Sequence, residues 1–228
     1  MKPGFICMAD NGKVQLDSIH TAMTLIRKQS FNCPRVQKSG TGVIETVPFP
    51  MTVHANTRLI AARADFWVRI GGQNYKNGSG NAYVQLPFYK TPSGNITVWE
   101  FGDAPVKQWN ERMGIVVINP DTNKVTYNSN WAIANILDFR RVTINGGWSM
   151  ALPNNGSNCA VVIGGGGAYR ADYDEFVEFN SLFWRINGNK LEIQSDTDRF
   201  ARPGILGGAN PSHFSMPLFI LIVDTTGI

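Results

Sequence analysis

The 228-residue chain is poor in charge, in cysteine and in histidine. Asp, Glu, Lys and Arg make up 17% of it, whereas about 25% is typical of soluble domains. The three cysteines, Cys7, Cys33 and Cys159, form no Cys-x-x-Cys pair, and none has a histidine at zinc-ligand spacing. The sequence therefore predicts neither a metal site nor a disulfide scaffold.

Long apolar runs and clusters of basic residues are also lacking. The longest clean apolar run, residues 218–223, is far shorter than the roughly 18 residues of a membrane-spanning helix, so we expect no membrane span. No apolar signal segment follows the first residues, which favours synthesis in the cytoplasm without export. The net charge is +4, but Lys and Arg are scattered. A nucleic-acid partner would require a basic stripe that neutralises phosphates, so none is expected.

Catalytic patterns are equally scarce. Residues 77–81 read Asn-Gly-Ser-Gly-Asn, which does not have the Gly-x-Ser-x-Gly spacing of a nucleophile elbow. The four glycines at 164–167 are not followed by the Gly-Lys-Ser/Thr of a phosphate loop. Only His20, His54 and His213 could serve a histidine-dependent mechanism. The sequence therefore predicts a protein that is not an enzyme, with no catalytic residues and no cofactor.

Turn-forming residues are abundant, with 23 Gly and 21 Asn. Glycine reaches positive φ freely and asparagine tolerates it, so this composition is typical of many short strands joined by turns. No segment shows sustained helical periodicity with caps. We therefore expect an all-β, antiparallel, sandwich-like fold. The candidate strands are residues 42–47, 59–70 (intact or broken), 82–86, 96–101, 139–144, 160–163, 176–179 and 218–223.

A hairpin pattern occurs three times, in residues 4–18, 114–129 and 182–195. Each copy has an apolar run, a turn rich in Asn, a Lys, and then alternating apolar and polar residues that end in Ser. The first two copies match for longer, because residues 19–26 correspond to residues 130–137. We interpret this as a tandem duplication of two β-units, residues 1–112 and 113–228, with a single domain as the alternative.

The candidate ligand-binding residues are aromatic and acidic side chains in or beside Gly- and Asn-rich segments. A tyrosine ring can stack on the apolar face of a sugar while neighbouring amides and carboxylates bind its hydroxyls, and loop tyrosines also anchor protein contacts. The acidic group after the glycine run has the alternative interpretation of a solvated turn. The set is Tyr75, Tyr83, Tyr169, Asp172, Tyr173 and Asp174.

The first hairpin, Gly-apolar-x-apolar followed by Asn-Gly and then apolar-x-apolar-Asp-Ser, resembles the opening of small tail-tip and tail-fibre-associated proteins of tailed bacteriophages. Residues 4–18 carry this resemblance, and residues 114–129 carry it less strictly. The resemblance implies a structural role in the virion tail, after synthesis in the host cytoplasm. It also implies assembly with other phage tail proteins, as a homo-oligomer that we expect to be a trimer or hexamer, with a host surface glycan or protein as a further partner.

Two other functions remain open at this stage. One is a lectin-like module on the virion that binds a receptor or carbohydrate through the loop Tyr, Asn and Asp residues. The other is a glycan hydrolase that uses Asp172 or Asp174, since paired carboxylates serve glycoside hydrolysis.

Overall fold

The computed structural model describes residues 6–8, 14–17, 22–33, 45–48, 53–73, 81–86, 94–103, 115–129, 131–144, 147–165, 168–172, 176–201 and 217–228. These residues form seventeen strands and a short 3-10 turn at Pro153–Gly156, and they contain no α-helix. The strands are β1 (Ile6–Met8), β2 (Val14–Asp17), β3 (Thr24–Cys33), β4 (Glu45–Pro48), β5 (Thr57–Arg63), β6 (Arg69–Gln73), β7 (Asn81–Leu86), β8 (Gly94–Gly102), β9 (Val116–Ile118), β10 (Val125–Asn128), β11 (Asn135–Val142), β12 (Gly147–Ala151), β13 (Cys159–Gly165), β14 (Ala168–Asp172), β15 (Phe176–Asn187), β16 (Lys190–Ala201) and β17 (Leu218–Asp224).

All pairings between these strands are antiparallel, which confirms the all-β prediction. The largest sheet has six strands in the order β11-β17-β13-β5-β8-β3. A three-stranded sheet, β4-β7-β6, and a four-stranded sheet, β12-β16-β15-β14, accompany it. The sequence pattern does not predict β3, β12 or β14. In β3 the run Thr-Leu-Ile-Arg-Lys-Gln-Ser lacks strict alternation, and β14 occupies part of the segment that the acidic residues suggested was a turn.

All three predicted hairpins form antiparallel pairs: β1 with β2, β9 with β10, and β15 with β16. In the third hairpin, Gly188 has φ +59°, the left-handed conformation that the Asn-Gly pattern predicts for a tight turn. In the second hairpin, Asn123 adopts φ 53° in place of a glycine. Turn chemistry therefore accounts for the second and third connections.

The strand order of the six-stranded sheet is palindromic. In the first half of the chain, β3 pairs with β8 and β8 pairs with β5; in the second half, β11 pairs with β17 and β17 pairs with β13. The halves meet where Val161 of β13 pairs with Ala62 of β5. This order describes a pseudo-two-fold arrangement, with the local axis beside the β5–β13 contact.

The β-bulges of the two halves support the same correspondence. In β3 the register shifts between Leu25 and Arg27, and in β11 it shifts between Ile136 and Asp138. These positions are the ones matched when residues 19–26 are aligned with residues 130–137. The halves therefore share a local irregularity as well as a strand order, which is what a duplication would leave.

The matched segments also contact each other directly across the axis. Ala134 N donates to Met23 O at 2.8 Å, and Thr24 bridges Ile133. On the other side of the sheet, Val68 and Trp184 exchange two backbone hydrogen bonds of 2.8 Å. Because Val68 and Trp184 pair with each other, they occupy equivalent positions in the two halves, and the residues that follow them, Arg69 and Arg185, are counterparts. By the same correspondence, β6 and β7 match β15 and β16.

The described residues contain two apolar clusters. The larger one combines strands from both halves, including Val98, Val161, Ile193 and Ile220. The smaller one lies on the pseudo-two-fold axis, where Ala61, Phe101, Ala160 and Val223 are buried with Met23 and Ala134 against them. Three strands from residues 1–112 and three from residues 113–228 thus join one sheet, and the two parts share a core. The division into two units stays a prediction about duplication.

Candidate functional site

The best-connected polar group among the described residues is the carboxylate of Glu100, which is fully buried on β8. Its Oε1 accepts hydrogen bonds from the Arg27 guanidinium, with the Nε contact at 2.8 Å, and from the Gln29 amide at 3.5 Å. Its Oε2 accepts from the backbone N–H of His54 at 3.0 Å and from the Thr57 hydroxyl at 2.9 Å. The carboxylate is therefore satisfied on both oxygens.

The β-bulge in β3 creates this cluster. Because the register shifts between Leu25 and Arg27, Arg27 lies directly opposite Glu100, although 73 residues separate them in sequence. Burying a carboxylate costs several kcal/mol unless it is paired and hydrogen-bonded, and here both conditions are met. With its lone pairs occupied by β3, by β5 and by the turn that precedes β5, Glu100 links structural elements and is not placed as an acid or base. Sequence alone could not predict this pair, because it depends on the bulge.

Cys33 and Cys159 are both buried, and neither forms a disulfide. Burial raises the pKa of the Cys33 thiol to about 11. Burial also raises the pKa of Cys159, and the nearby Arg63 guanidinium opposes this increase. A nucleophilic cysteine needs a lowered pKa and access to solvent, so neither thiol is activated.

Two carboxylates of the second half have pKa values below their ordinary range. The Arg185 side chain, which donates to Glu192 with a 2.7 Å Nε contact, lowers the pKa of Glu192, and the Asn187 amide also contributes. The hydroxyl and the backbone N–H of Thr226 lower the pKa of Asp224. Both effects stabilise the charged forms within surface hydrogen-bond networks.

Three of the six predicted ligand-binding residues lie on described strands. Tyr83 lies on β7 of the three-stranded sheet, where it pairs with Pro48 and Gly71. Tyr169 and Asp172 lie on β14 of the four-stranded sheet. Tyr75, Tyr173 and Asp174 lie outside the described residues. Tyr83, Tyr169 and Asp172 thus belong to strands of two different sheets.

Neither metal ligands nor membrane helices emerge from the described segments. No three His, Cys, Asp or Glu side chains within them are grouped so that they could hold a metal ion. No helix within the same segments has the length and apolarity needed to cross a bilayer. Gly164, the first residue of the glycine run, lies in β13, and a Cβ there would meet only open space, so no close backbone approach explains a glycine at this position.

Among the residues whose side chains are described, the large exposed apolar ones lie in the second half of the chain. On the outer strand β11 and its neighbour β17, Phe139 is 55% exposed and stacks on the partly exposed Phe219, with ring centroids 6.1 Å apart. The Arg141 guanidinium lies 5.9 Å from the Phe219 ring centroid. We call Phe139, Arg141 and Phe219 the β11 surface. Sequence reasoning missed it, because only the sheet order reveals that β11 is an outer strand.

A second exposed apolar group lies on the β9–β10 hairpin. Ile115 is 65% exposed, and Val116 and Ile118 are also exposed. Single exposed apolar residues are common, but a group of three on one short segment is a feature of surfaces that meet a partner. The described molecule thus offers two apolar surfaces on its second half and no assembled catalytic site.

No family model matches the chain, and neither the curated proteins nor the solved structures include a match. The function is therefore inferred from the residues of this chain alone.

Proposed function

We propose that this protein is a structural component of a bacteriophage tail tip or baseplate, located in the virion tail, where it acts by assembling with other tail subunits. The observation that carries the proposal is the exposed apolar character of β9 and β11, which suits association better than catalysis. The resemblance of residues 4–18 to the opening of tail-tip and tail-fibre-associated proteins supplies the particular setting.

The physical basis of the assembly is burial of these apolar groups against neighbouring subunits. Fully burying one large apolar side chain contributes about 1.5–3 kcal/mol, so Ile115, Phe139 and Phe219 together offer a useful part of an association free energy. Among the described strands, β11 lies at the end of its sheet, and such an outer strand also offers hydrogen bonds to a further strand. An assembly subunit of this kind needs neither a metal ion nor a general acid.

The glycan-binding alternative requires the predicted Tyr and Asp side chains to converge. The described members of that set, Tyr83, Tyr169 and Asp172, lie on strands of two sheets. A glycan array with the purified protein separates the alternatives. Saturable sugar binding that Tyr169→Ala abolishes would replace the assembly role with a lectin role.

The direct test locates the protein in particles. Mass spectrometry of density-purified virions of the source phage should detect the chain, and immunogold electron microscopy should label the distal end of the tail. Antibody against a known capsid protein serves as the control label. Absence of the chain from purified particles, or label confined to the capsid, would overturn the proposal.

A further inference from the structure

We propose that a second copy of this chain pairs edge to edge with β11, around a two-fold axis at Phe139. The contact would join the two six-stranded sheets of a dimer. The inference names a partner for the proposed assembly function, on which it rests for its biological role. The pairing itself is inferred from the backbone groups and side chains at the edge of β11.

The backbone groups of β11 alternate in direction, and those of Phe139 point to the outer side of the sheet. Thr225, the residue directly after β17, donates its backbone N–H to Asn158 O at 2.7 Å. In an antiparallel sheet the direction of the backbone groups alternates, so Val223, Leu221 and Phe219 of β17 also hydrogen-bond toward β13. Leu221 belongs to this set, and Phe139 is its cross-strand partner. The backbone N–H and C=O of Phe139 therefore point away from β17, to the outer side of the sheet. Within the described residues, no strand pairs with that side of β11.

The outward N–H of Phe139 is capped locally. It donates to Oδ1 of Asp138 at 2.8 Å, and Oδ2 of the same carboxylate accepts from Arg140 Nε at 2.9 Å. A charged side chain at a strand edge discourages pairing with unrelated strands. A partner that offers its own backbone carbonyl to Phe139, and its own cation to Asp138, replaces both of these contacts.

The charges on β11 select a single register for a two-fold pair. With Phe139 opposite Phe139 of the second copy, Asp138 faces the second copy's Arg140, and Arg140 faces its Asp138. Opposite charges directly across an antiparallel pair stabilise it, and like charges destabilise it. Moving the axis by one residue to Arg140, or by two to Arg141, places Arg opposite Arg. Among two-fold axes at residues 138–141, only the axis at Phe139 avoids placing like charges opposite each other and pairs opposite charges instead.

Apolar contacts favour the same register. Phe139 and Phe219 lie on one face of the sheet, since Arg141, two residues from Phe139 on β11, is the cross-strand partner of Phe219. A two-fold axis at Phe139 places the two Phe139 rings beside each other, with a Phe219 ring flanking each of them. This arrangement removes from water a large part of the β11 surface.

The outer strand of the first half does not have these features. Lys28 of β3 is the counterpart of Phe139, so the equivalent two-fold pair would place Lys28 opposite Lys28. Arg27 would face Gln29, which carries no charge, and Arg27 is already engaged by Glu100. The inference is therefore specific to β11, and β3 supplies matched control variants.

A two-fold contact restricts the oligomeric states that β11 can support. It produces a dimer or a dihedral assembly with an even number of chains, and it cannot close a cyclic trimer. Of the two states expected from the sequence, the hexamer is compatible with this contact, as three dimers joined through other surfaces.

Sedimentation velocity of the purified full chain, over a range of concentrations, measures the association. Arg140→Asp and Asp138→Arg each place like charges opposite each other twice per dimer, and each should weaken dimerisation at least about tenfold. The double variant Asp138→Arg/Arg140→Asp restores both opposite-charge pairs and should recover dimerisation to within about threefold. Lys28→Gln, on the equivalent outer strand β3, should leave it unchanged. Circular dichroism confirms that each variant is folded.

Three results would overturn the inference: a wild type that stays monomeric at every concentration, single variants that dimerise normally, or a double variant that does not recover. The outcome is separable from the virion test. A dimer that is absent from particles contradicts the tail role and leaves the pairing intact, and a virion protein that is monomeric contradicts only the pairing.

Discussion

The two outer strands of the central sheet, β3 and β11, occupy equivalent places in a pseudo-two-fold fold and differ in almost every side chain. Both carry a β-bulge at the matched position. After the bulge, β3 continues Arg-Lys-Gln-Ser, whereas β11 continues Asp-Phe-Arg-Arg. A shared backbone thus supports one polar edge and one edge with an exposed phenylalanine between opposite charges. The strand order determines where an edge lies, and the side chains determine what it can meet.

The same difference extends to the neighbouring strands. Opposite the bulge, Arg27 meets the buried Glu100 in the first half, whereas Asp138 lies opposite the apolar Ile222 in the second. In the first half, Arg27 therefore forms an ion pair with a buried carboxylate. In the second half, Asp138 interacts at the surface. Self-association and internal ion pairing are alternative uses of one position.

The largest effect is expected where the two halves are alike. Phe101 and Val223 are counterparts that are fully buried in the axial cluster. Phe101→Ala should lower the free energy of unfolding by about 3–5 kcal/mol, through lost burial and a cavity. Phe139→Ala, at the exposed edge, should cost less than about 1 kcal/mol in the monomer. Urea denaturation at low protein concentration measures both, and equal losses would contradict the assignment of core and edge.

The next effect tests the internal ion pair. Arg27→Met leaves a buried carboxylate without its cation and should cost about 3 kcal/mol. Asp138→Asn, at the matched position of β11, should cost less than about 1 kcal/mol in the monomer. Adding Glu100→Leu to Arg27→Met, which makes the first half resemble the second, should recover most of the loss. If the double variant were as unstable as Arg27→Met alone, the buried charge would not be the cause.

A smaller effect distinguishes the halves by pH. Arg185 and Glu192 pair across β15 and β16, and the counterparts in the first half are Arg69 and Gln85, which lack a carboxylate. Because the pKa of Glu192 is lowered in the folded state, its contribution is present above its ordinary value of 4.5 and is lost as pH falls through the folded pKa. Glu192→Gln should flatten the acid side of the stability profile by less than about 1 kcal/mol, since the pair is partly exposed. The measurement is the urea midpoint of unfolding of each protein between pH 6 and 3. Midpoints that decrease in parallel for wild type and variant would contradict this expectation.

The smallest effect on stability accompanies a large effect on association. Phe139→Lys gives β11 the residue that β3 has at Lys28. The free energy of unfolding of the monomer should change by less than about 0.5 kcal/mol, because the position is exposed. Dimerisation should disappear, since the axis would then place Lys opposite Lys. Lys28→Gln, at the matched position, is the control and should not alter the association state.

Sequence predicted the parts of the fold that depend on local chemistry. The Asn-rich turns identified all three hairpins, and Gly188 has the positive φ that such a turn requires. The alignment of residues 19–26 with residues 130–137 places the bulge of β3 at the same position as the bulge of β11. By contrast, β3 has no clear alternation, and its identity as a strand depends on pairing with β8, more than sixty residues away.

The exposed apolar surfaces were harder to predict, for a physical reason. Phe139 was placed in a strand, but its exposure follows from the position of β11 at the end of the sheet, which is a long-range property. The predicted glycan-binding residues were grouped by composition, and the fold distributes Tyr83 and Tyr169 between two sheets. Composition identifies side chains that can bind, and topology determines which of them meet.

Disulfide trapping at the axis tests the central claim most directly. In a hydrogen-bonded antiparallel pair the Cα atoms are about 5.5 Å apart, within the range that a disulfide spans. Phe139→Cys, in a Cys7→Ser background where Cys33 and Cys159 are buried, should form a covalent dimer under mild oxidation, at twice the 25.2 kDa chain mass. Lys28→Cys in the same background should stay monomeric. No cross-link at position 139, or equal cross-linking at positions 139 and 28, would contradict the account.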